Sequence, residues 1–157
     1  MDALHYVSTL VGRFGFITKG EFVTRVILPG ETTPLDAVAR SNSLPKRAEI
    51  QLYEYLSRQR RDFNLPLAPE GTEFKAKVWS AICAIPYGET SSYGAVARDI
   101  GRPRAARAVG GACRRNLIPI FIPRHRVIGA SGKMVGFLGG LDLKERLLAL
   151  ERGHALL

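Results

Sequence analysis

Cysteine is scarce in this chain of 157 residues, which contains only Cys83 and Cys113. Two widely separated cysteines exclude the disulfide frameworks of small secreted proteins and the four-cysteine zinc sites. The three histidines, His5, His125 and His154, are scattered, and none has a cysteine at metal-ligand spacing. We therefore expect reduced thiols, as in cytoplasmic proteins, and neither a bound metal nor a cofactor.

Long apolar runs are also absent. No stretch of about 18 apolar residues occurs, so the sequence predicts no membrane-spanning helix. The N-terminus lacks the basic region followed by an apolar stretch that marks a secretory signal. With 46% hydrophobic and 24% charged residues, the composition is typical of a soluble globular chain with one core or two small lobes. These features favour a cytoplasmic protein that contacts no membrane.

Acidic residues are few, since 14 Asp and Glu stand against 23 Lys and Arg, a net charge of +9. The imbalance is strongest in residues 98–126, where Asp99 is the one acid among eight arginines. A solvated surface normally mixes both signs, so this bias favours a phosphate-binding surface. The eight are Arg98, Arg102, Arg104, Arg107, Arg114, Arg115, Arg124 and Arg126.

The first part of the chain reads as a small α/β lobe, residues 1–66. Alternating apolar residues predict two or three antiparallel strands, with a hairpin turn at Lys19-Gly20. Helical spacing of apolar residues predicts a helix over 46–60, and a short helix is expected at 35–39. Prolines and a glycine in residues 62–71 indicate a linker. The predicted strands cover residues 6–9, 14–17 and 22–27.

The rest of the chain, residues 71–157, reads as a helical lobe. A helix is expected over 74–85, and Ser91 or Ser92 suits the cap of a short helix over 93–100. Pro103 suits the first turn of another helix that runs to about Arg115, which makes a helix-turn-helix. A last helix is expected over 143–152.

Small residues fill the second helix of this pair, in the run 105–112. Small side chains allow close approach either to another helix or to the minor groove of DNA, where insertion helps to unstack a base. The flanking arginines favour DNA.

A series of short motifs then follows in residues 71–152. In order and at their spacing they resemble the O6-alkylguanine-DNA alkyltransferases, repair proteins that transfer an alkyl group from guanine O6 to a protein cysteine. The motifs are Pro86-Tyr87-Gly88-Glu89-Thr90, Ser92-Tyr93-Gly94, Ala105-Ala106-Arg107-Ala108-Val109-Gly110, Asn116, Pro123-x-His125-Arg126-Val127, Gly139-Gly140 and Leu147-Leu148-Ala149-x-Glu151.

The chain departs from this family at two positions. Arg124 stands where the family keeps its alkyl-accepting cysteine, and a guanidinium stays protonated and cannot attack an alkyl carbon. Phe137 stands where the family usually has a tyrosine that donates to guanine O6. The departures indicate an alkyltransferase-like protein that holds a damaged base without transferring its alkyl group.

The resemblance implies a ribonuclease H-like first lobe and a role for each matching residue. Arg107 corresponds to the residue that enters the base stack when the nucleotide flips, and Tyr93 to the one that helps to rotate its phosphate. Asn116 corresponds to the residue that ties the recognition helix to the site loop. His125 and Glu151 correspond to the pair that activates the family's cysteine through a water. Further DNA-binding residues are Arg104, Ala106, Ala108, Gly110 and Arg114; base-pocket residues are Cys113, Arg126, Val127, Ser131 and Phe137.

Several alternatives remain open at this point. Arg124 pairs with Glu151, donates to the O6/N7 edge of a guanine, or reaches a phosphate; the first is preferred for the protein without DNA. Cys113 is a candidate replacement nucleophile if neighbouring arginines lower its pKa.

The expected function is recognition of O6-alkylguanine in double-stranded DNA by a monomer, with excision-repair proteins as further partners. The alternatives are an active or engineered-inactive methyltransferase and an interaction protein whose DNA contact is purely electrostatic.

Overall fold

The computed structural model describes residues 2–31, 38–39, 43–129 and 141–154. The first lobe is built on a sheet whose described strands lie side by side in the order 22–27, 12–19, 2–9 and 38–39. Strands β1 (Asp2–Thr9), β2 (Gly12–Lys19) and β3 (Phe22–Ile27) are antiparallel neighbours, as the sequence predicts. The second hairpin turns at Gly20-Glu21, one residue later than predicted, because Lys19 still pairs with Phe22. Gly20 adopts a φ of 61°, which glycine accepts without strain.

The short helix predicted at 35–39 is wrong in the part that the structure describes. Val38–Ala39 form β4, which pairs in parallel with Ala3 and Leu4 of β1; residues 35–37 lie outside the described residues. The periodicity of a short apolar run does not distinguish a helix from a strand. Here the residues form a strand because their backbone pairs with the edge of β1.

Helix α1 (Ser43–Leu56) covers one side of the sheet. The predicted apolar face is confirmed, since Ala48, Leu52 and Tyr55 are fully or almost fully buried. The helix ends earlier than predicted, and Arg58 just beyond it adopts a φ of 65°. A left-handed residue of this kind commonly ends a helix.

The second lobe contains the predicted helix pair. Helix α2 (Glu73–Cys83) precedes strand β5 (Ser91–Ser92), helix α3 (Tyr93–Asp99) and helix α4 (Ala106–Arg114). The Ser92 hydroxyl accepts from Ala95 N at 3.0 Å and caps α3. Helix α4 begins at Ala106 rather than at Pro103, because a turn closed by Ala105 N and Arg102 O precedes it.

The chain then forms an irregular loop, a 3-10 helix (Arg124–Arg126) and strand β6 (Val127–Ile128), which pairs in parallel with β5. Helix α5 (Leu141–Glu151) closes the lobe. None of the helices in the described ranges is long and apolar enough to cross a membrane.

Aromatic rings join the two lobes. Phe121 of the second lobe stacks on Phe16 at 5.6 Å between centroids and lies 4.7 Å from Phe63. The backbone also crosses the boundary, since Val26 N of β3 donates to Leu117 O at 2.8 Å. The segment predicted as a linker extends the sheet, because Val23 exchanges backbone hydrogen bonds with Pro66 and Ala68. The lobes therefore share one hydrophobic core.

Removal of the Phe121 ring, which packs between the two lobes, should destabilise the whole chain. Phe121 is 5% exposed, so Phe121→Ala is expected to lower the free energy of unfolding by about 3 to 4 kcal/mol. Phe22→Ala is the matched control, because Phe22 is 46% exposed, and it should cost less than about 1 kcal/mol. Urea denaturation followed by fluorescence and circular dichroism measures both. Two separate unfolding transitions in the wild-type protein would contradict the shared core.

Candidate nucleic-acid interface and base site

A buried asparagine shapes the loop between α4 and the 3-10 helix. Asn116 is fully buried, its Nδ2 donates to Ile122 O at 3.2 Å, and its Oδ1 accepts from Ile118 N at 2.9 Å. Ile120 within the loop adopts a φ of 73°, an unfavourable conformation for a β-branched residue. The asparagine amide replaces the backbone pairs that this irregular segment cannot make. Asn116 lies two residues after the end of α4, and its side chain binds the backbone of the loop at Ile118 and Ile122.

The carboxylate of Glu151 accepts hydrogen bonds from two side chains that follow this loop and from two other parts of the chain. Its Oε2 accepts from His125 Nε2 at 2.7 Å, from Arg126 Nη2 at 3.0 Å and from the Tyr55 hydroxyl at 2.6 Å. Its Oε1 accepts from Arg126 Nε at 2.8 Å and from Gly88 N at 3.1 Å. We call Glu151, His125, Arg126 and Tyr55 the carboxylate hub. All four are buried.

Electrostatics within the hub favour an ionised glutamate and a neutral histidine. Burial alone raises the pKa of Glu151, but the hydrogen bonds from His125, Arg126 and Tyr55 outweigh it and lower the pKa to about 2. Burial lowers the pKa of His125. The neutral ring therefore donates from Nε2 to the carboxylate. Its Nδ1 is left as a buried acceptor with no hydrogen-bond partner among the residues that the structure describes.

Arg124 lies on the other side of the same 3-10 helix. Its Nη1 donates to Cys113 O at 3.1 Å and to Asn116 O at 3.0 Å, and it lies 3.5 Å from Arg114 O. The carbonyls at the end of a helix have no partner within it and carry the negative end of the helix dipole, so a guanidinium is well placed there. Burial lowers the pKa of Arg124 to about 10, which still leaves it protonated at neutral pH.

The pairing of Arg124 with Glu151, preferred from the sequence, is therefore wrong. Arg126 occupies the carboxylate with two of its nitrogens and also donates from Nη1 to Ile85 O at 2.8 Å. The tight 3-10 turn directs Arg124 and Arg126 to different partners. Arg126 was predicted for the base pocket, and the structure places it in the carboxylate hub.

Cys113 belongs to α4, lies beside the Arg124 side chain and is 2% exposed. Burial raises the pKa of its thiol to about 11, and this effect exceeds the opposite influence of Arg124, Lys144 and Arg114. At neutral pH the residue is a thiol, and only the thiolate is a strong nucleophile. The expectation that neighbouring arginines activate Cys113 is not supported by this environment.

The outer face of α4 borders a groove of about 570 Å³ that also contacts the start of α2. Among its lining residues the charged side chains are all basic: Lys75, Arg104, Arg107, Arg114 and Arg115. Ala106 is half-buried and Ala108 exposed, so both lie near the surface, while Gly110 is buried. A groove with one sign of charge attracts the phosphates of a nucleic acid.

Of the remaining predicted residues, the structure describes Tyr93 and Val127. Tyr93 begins α3, is half-buried, and is near enough to Cys113 and Arg124 for their charges to affect its pKa, which burial raises. Val127 is buried in β6. Ser131 and Phe137 lie outside the described residues. Within the described ranges, no cluster of histidine, cysteine and acidic side chains is placed to hold a metal ion.

Two residues of the site were not identified from the sequence. Tyr55 appeared there only as part of the apolar face of α1. Lys144 is 1% exposed and donates from Nζ to Val127 O at 2.7 Å. Its position between the predicted inward-facing leucines of α5 was the available signal, because a lysine on a buried helix face requires an acceptor.

Known proteins are similar to this chain in sequence and in fold. The family model described as 6-O-methylguanine DNA methyltransferase, DNA binding domain, matches residues 73–153. The chain is 54% identical over 147 residues to a methylated-DNA–protein-cysteine methyltransferase of Mycolicibacterium paratuberculosis, which covers 94% of this chain and 87% of that protein. The chain belongs to the O6-methylguanine-DNA methyltransferase family.

Other members of the family are similar over most of the chain. A protein of the same name from Methanosarcina acetivorans is 50% identical over 116 residues, 74% of each chain. The crystal structure of Mycobacterium tuberculosis OGT in complex with DNA superposes with a TM-score of 0.91 at 38% identity, covering 98% of this chain and 94% of that one. The predicted α/β fold is confirmed by this similarity, and the chain is a member of a DNA-binding family related to DNA repair.

The carboxylate hub of this family member should make stability depend on acid pH. The pKa of Glu151 is about 2 in the folded protein against an ordinary value of 4.5, and that of His125 is below 6.5. Between about pH 6.5 and pH 2 the unfolded chain therefore binds more protons than the folded protein does. For this reason the free energy of unfolding decreases as the pH falls through this range. Glu151 alone accounts for up to about 3 kcal/mol of this decrease.

Urea denaturation at a series of pH values measures this slope. Glu151→Gln should flatten it between pH 5 and 2, while Glu73→Gln, whose side chain is 89% exposed in the wild type, should leave it unchanged. An equal acid slope in wild type and Glu151→Gln would contradict the assignment of the ionised carboxylate.

Proposed function

We propose that this protein binds double-stranded DNA containing O6-alkylguanine, takes up the flipped modified base beside α4, and does not transfer its alkyl group at residue 124. The observation that carries the proposal is the position of Arg124, a buried guanidinium held by Cys113 O in the last turn of α4 and by Asn116 O just beyond the helix. Membership of the methyltransferase family supports the ligand, and the guanidinium argues against the transfer.

The basic groove supports DNA as the partner. Arg104, Arg107 and Arg114 are exposed on or beside α4, where they can reach phosphates. The small residues of α4 permit its close approach to a minor groove. The similar Mycobacterium tuberculosis OGT forms a crystalline complex with DNA. We assign the DNA contact to residues 71–157, with residues 1–66 as a supporting lobe.

Base flipping requires a side chain that fills the space left in the stack. Arg107 is exposed on α4, and a planar cation can stack on bases and donate hydrogen bonds to the orphaned partner. Tyr93 begins the preceding helix near Cys113 and Arg124 and suits the rotated phosphate of the flipped nucleotide. Together they form the proposed machinery of lesion recognition.

The absence of transfer follows from the nucleophiles that are present. Arg124 stays protonated, since its pKa is about 10, and it therefore has no lone pair for attack on an alkyl carbon. Cys113 is a buried thiol with a pKa of about 11. His125 keeps its carboxylate partner, but it has no thiol at position 124 to deprotonate. The protein would then mark the lesion as a monomer in the cytoplasm and leave its removal to excision-repair proteins.

A second candidate function is alkyl transfer to a cysteine of the chain. It is favoured by the names of close relatives, which are methylated-DNA–protein-cysteine methyltransferases, and by the intact contact of His125 with Glu151 at 2.7 Å. Within the described residues the acceptor would have to be Cys113 or Cys83, of which Cys113 is buried and Cys83 exposed.

A comparison of two duplexes that differ in one methyl group tests the proposed recognition. Wild-type protein should bind an O6-methylguanine duplex at least about tenfold more tightly than a guanine duplex, a difference of about 1.4 kcal/mol. Arg107→Ala should bring the ratio of the two dissociation constants close to one, because flipping loses its stacking cation. Fluorescence anisotropy at fixed salt concentration measures both constants.

Arg98→Ala is the matched control, because Arg98 is exposed in the last turn of α3 and contributes charge alone. It should weaken binding to both duplexes equally and leave their ratio unchanged. Equal affinity of wild-type protein for the two duplexes, with a steep dependence on salt, would instead indicate an interaction protein that contacts DNA by charge only.

A further inference from the structure

The first lobe contributes a side chain to the carboxylate hub. Tyr55 lies on α1 and is fully buried, and its hydroxyl reaches across the interface between the lobes. It donates to Glu151 Oε2 at 2.6 Å and lies 3.3 Å from His125 Nε2. His125 and Glu151 both belong to the second lobe.

We propose that Tyr55 is a positioning residue through which the first lobe holds His125 and the 3-10 turn that carries Arg124. The part that concerns DNA binding rests on the proposed function. The part that concerns His125 stands on the geometry of the hub alone.

The geometry of the carboxylate explains why one hydroxyl matters. Glu151 accepts five hydrogen bonds: two from Arg126 and one each from His125, Gly88 and Tyr55. A carboxylate offers about four lone-pair sites, so its capacity is filled. The Tyr55 donor is the one that comes from the first lobe. Because Oε2 is shared by Tyr55 and His125, the hydroxyl limits where the imidazole can lie.

The Tyr55 hydroxyl also affects the electrostatic environment of the His125 ring. Three charged groups act on the ring: Glu151 favours the imidazolium, whereas Arg126 and Lys144 disfavour it. Tyr55 donates to the oxygen that also faces His125, and this hydrogen bond disperses the negative charge of Glu151. Tyr55 therefore helps to keep the ring neutral and fixes its Nε2–H towards the carboxylate. The orientation of His125 in turn holds the turn between Arg124 and Arg126.

The ring and the hydroxyl of Tyr55 have separable roles. The ring packs against Phe63 at 5.2 Å and against Tyr87 at 6.2 Å between centroids. Tyr55→Phe keeps these contacts and removes the hydroxyl alone. Tyr53→Phe is the matched control on the same helix, because the Tyr53 hydroxyl donates to Ser8 O at 2.6 Å at the protein surface, away from the hub.

Titration of His125 tests the proposal in the full-length chain. Nitrogen-15 NMR of the imidazole should give a higher titration midpoint in Tyr55→Phe than in the wild type, because Glu151 then stabilises the imidazolium more strongly. Tyr53→Phe should titrate like the wild type. A midpoint in Tyr55→Phe that is unchanged or lower, or an equal rise in Tyr53→Phe, would overturn the proposal.

Two further readouts extend the test, and the second of them rests on the proposed function. In the wild type, the Tyr55 hydroxyl proton should exchange slowly and show a nuclear Overhauser contact with the His125 ring; its absence counts against the proposal. Tyr55→Phe should also reduce the preference for an O6-methylguanine duplex by about fivefold, the size of one hydrogen bond. If the wild type shows no such preference, the proposed function fails, while the His125 titration still decides the role of Tyr55.

Discussion

The guanidinium of Arg124 donates to a carbonyl group in the last turn of α4 and to one just beyond the helix, and the geometry of the site depends on this contact. It joins the loop after Asn116 to the helix that borders the basic groove, with distances of 3.0 and 3.1 Å to two carbonyl oxygens. A buried cation is costly unless such acceptors surround it. The contact therefore places a fixed positive charge beside Cys113 and Tyr93.

The same turn is held from its other side by the carboxylate of Glu151. Arg126 and His125 contact this carboxylate, so neighbouring residues of one 3-10 helix are held in opposite directions. Tyr55 extends this support into the first lobe, and the stacked rings of Phe16 and Phe121 connect the same two lobes. The turn that carries Arg124 is therefore connected to both lobes.

Much of this architecture could be predicted from the sequence, because it depends on local patterns. The alternation in residues 14–17 and the helical spacing that includes Leu52 correctly predict a strand and a helix, and the motifs around residues 86–127 indicate the family. Partnerships between distant residues could not be predicted. Arg124 and Arg126 are chemically identical, and only the direction of a 3-10 turn decides which one reaches Glu151. Similarly, the spacing of Tyr55 shows that it is buried, but not where its hydroxyl points.

The intact mass of the protein after incubation with an O6-methylguanine duplex tests the central claim most directly. The wild-type chain should keep its mass, because the protonated Arg124 cannot accept the methyl group. Arg124→Cys, measured in parallel, should gain one methyl group, because it supplies a thiol at the position where the resemblance implies the acceptor cysteine. A methyl group on the wild-type protein would contradict the account.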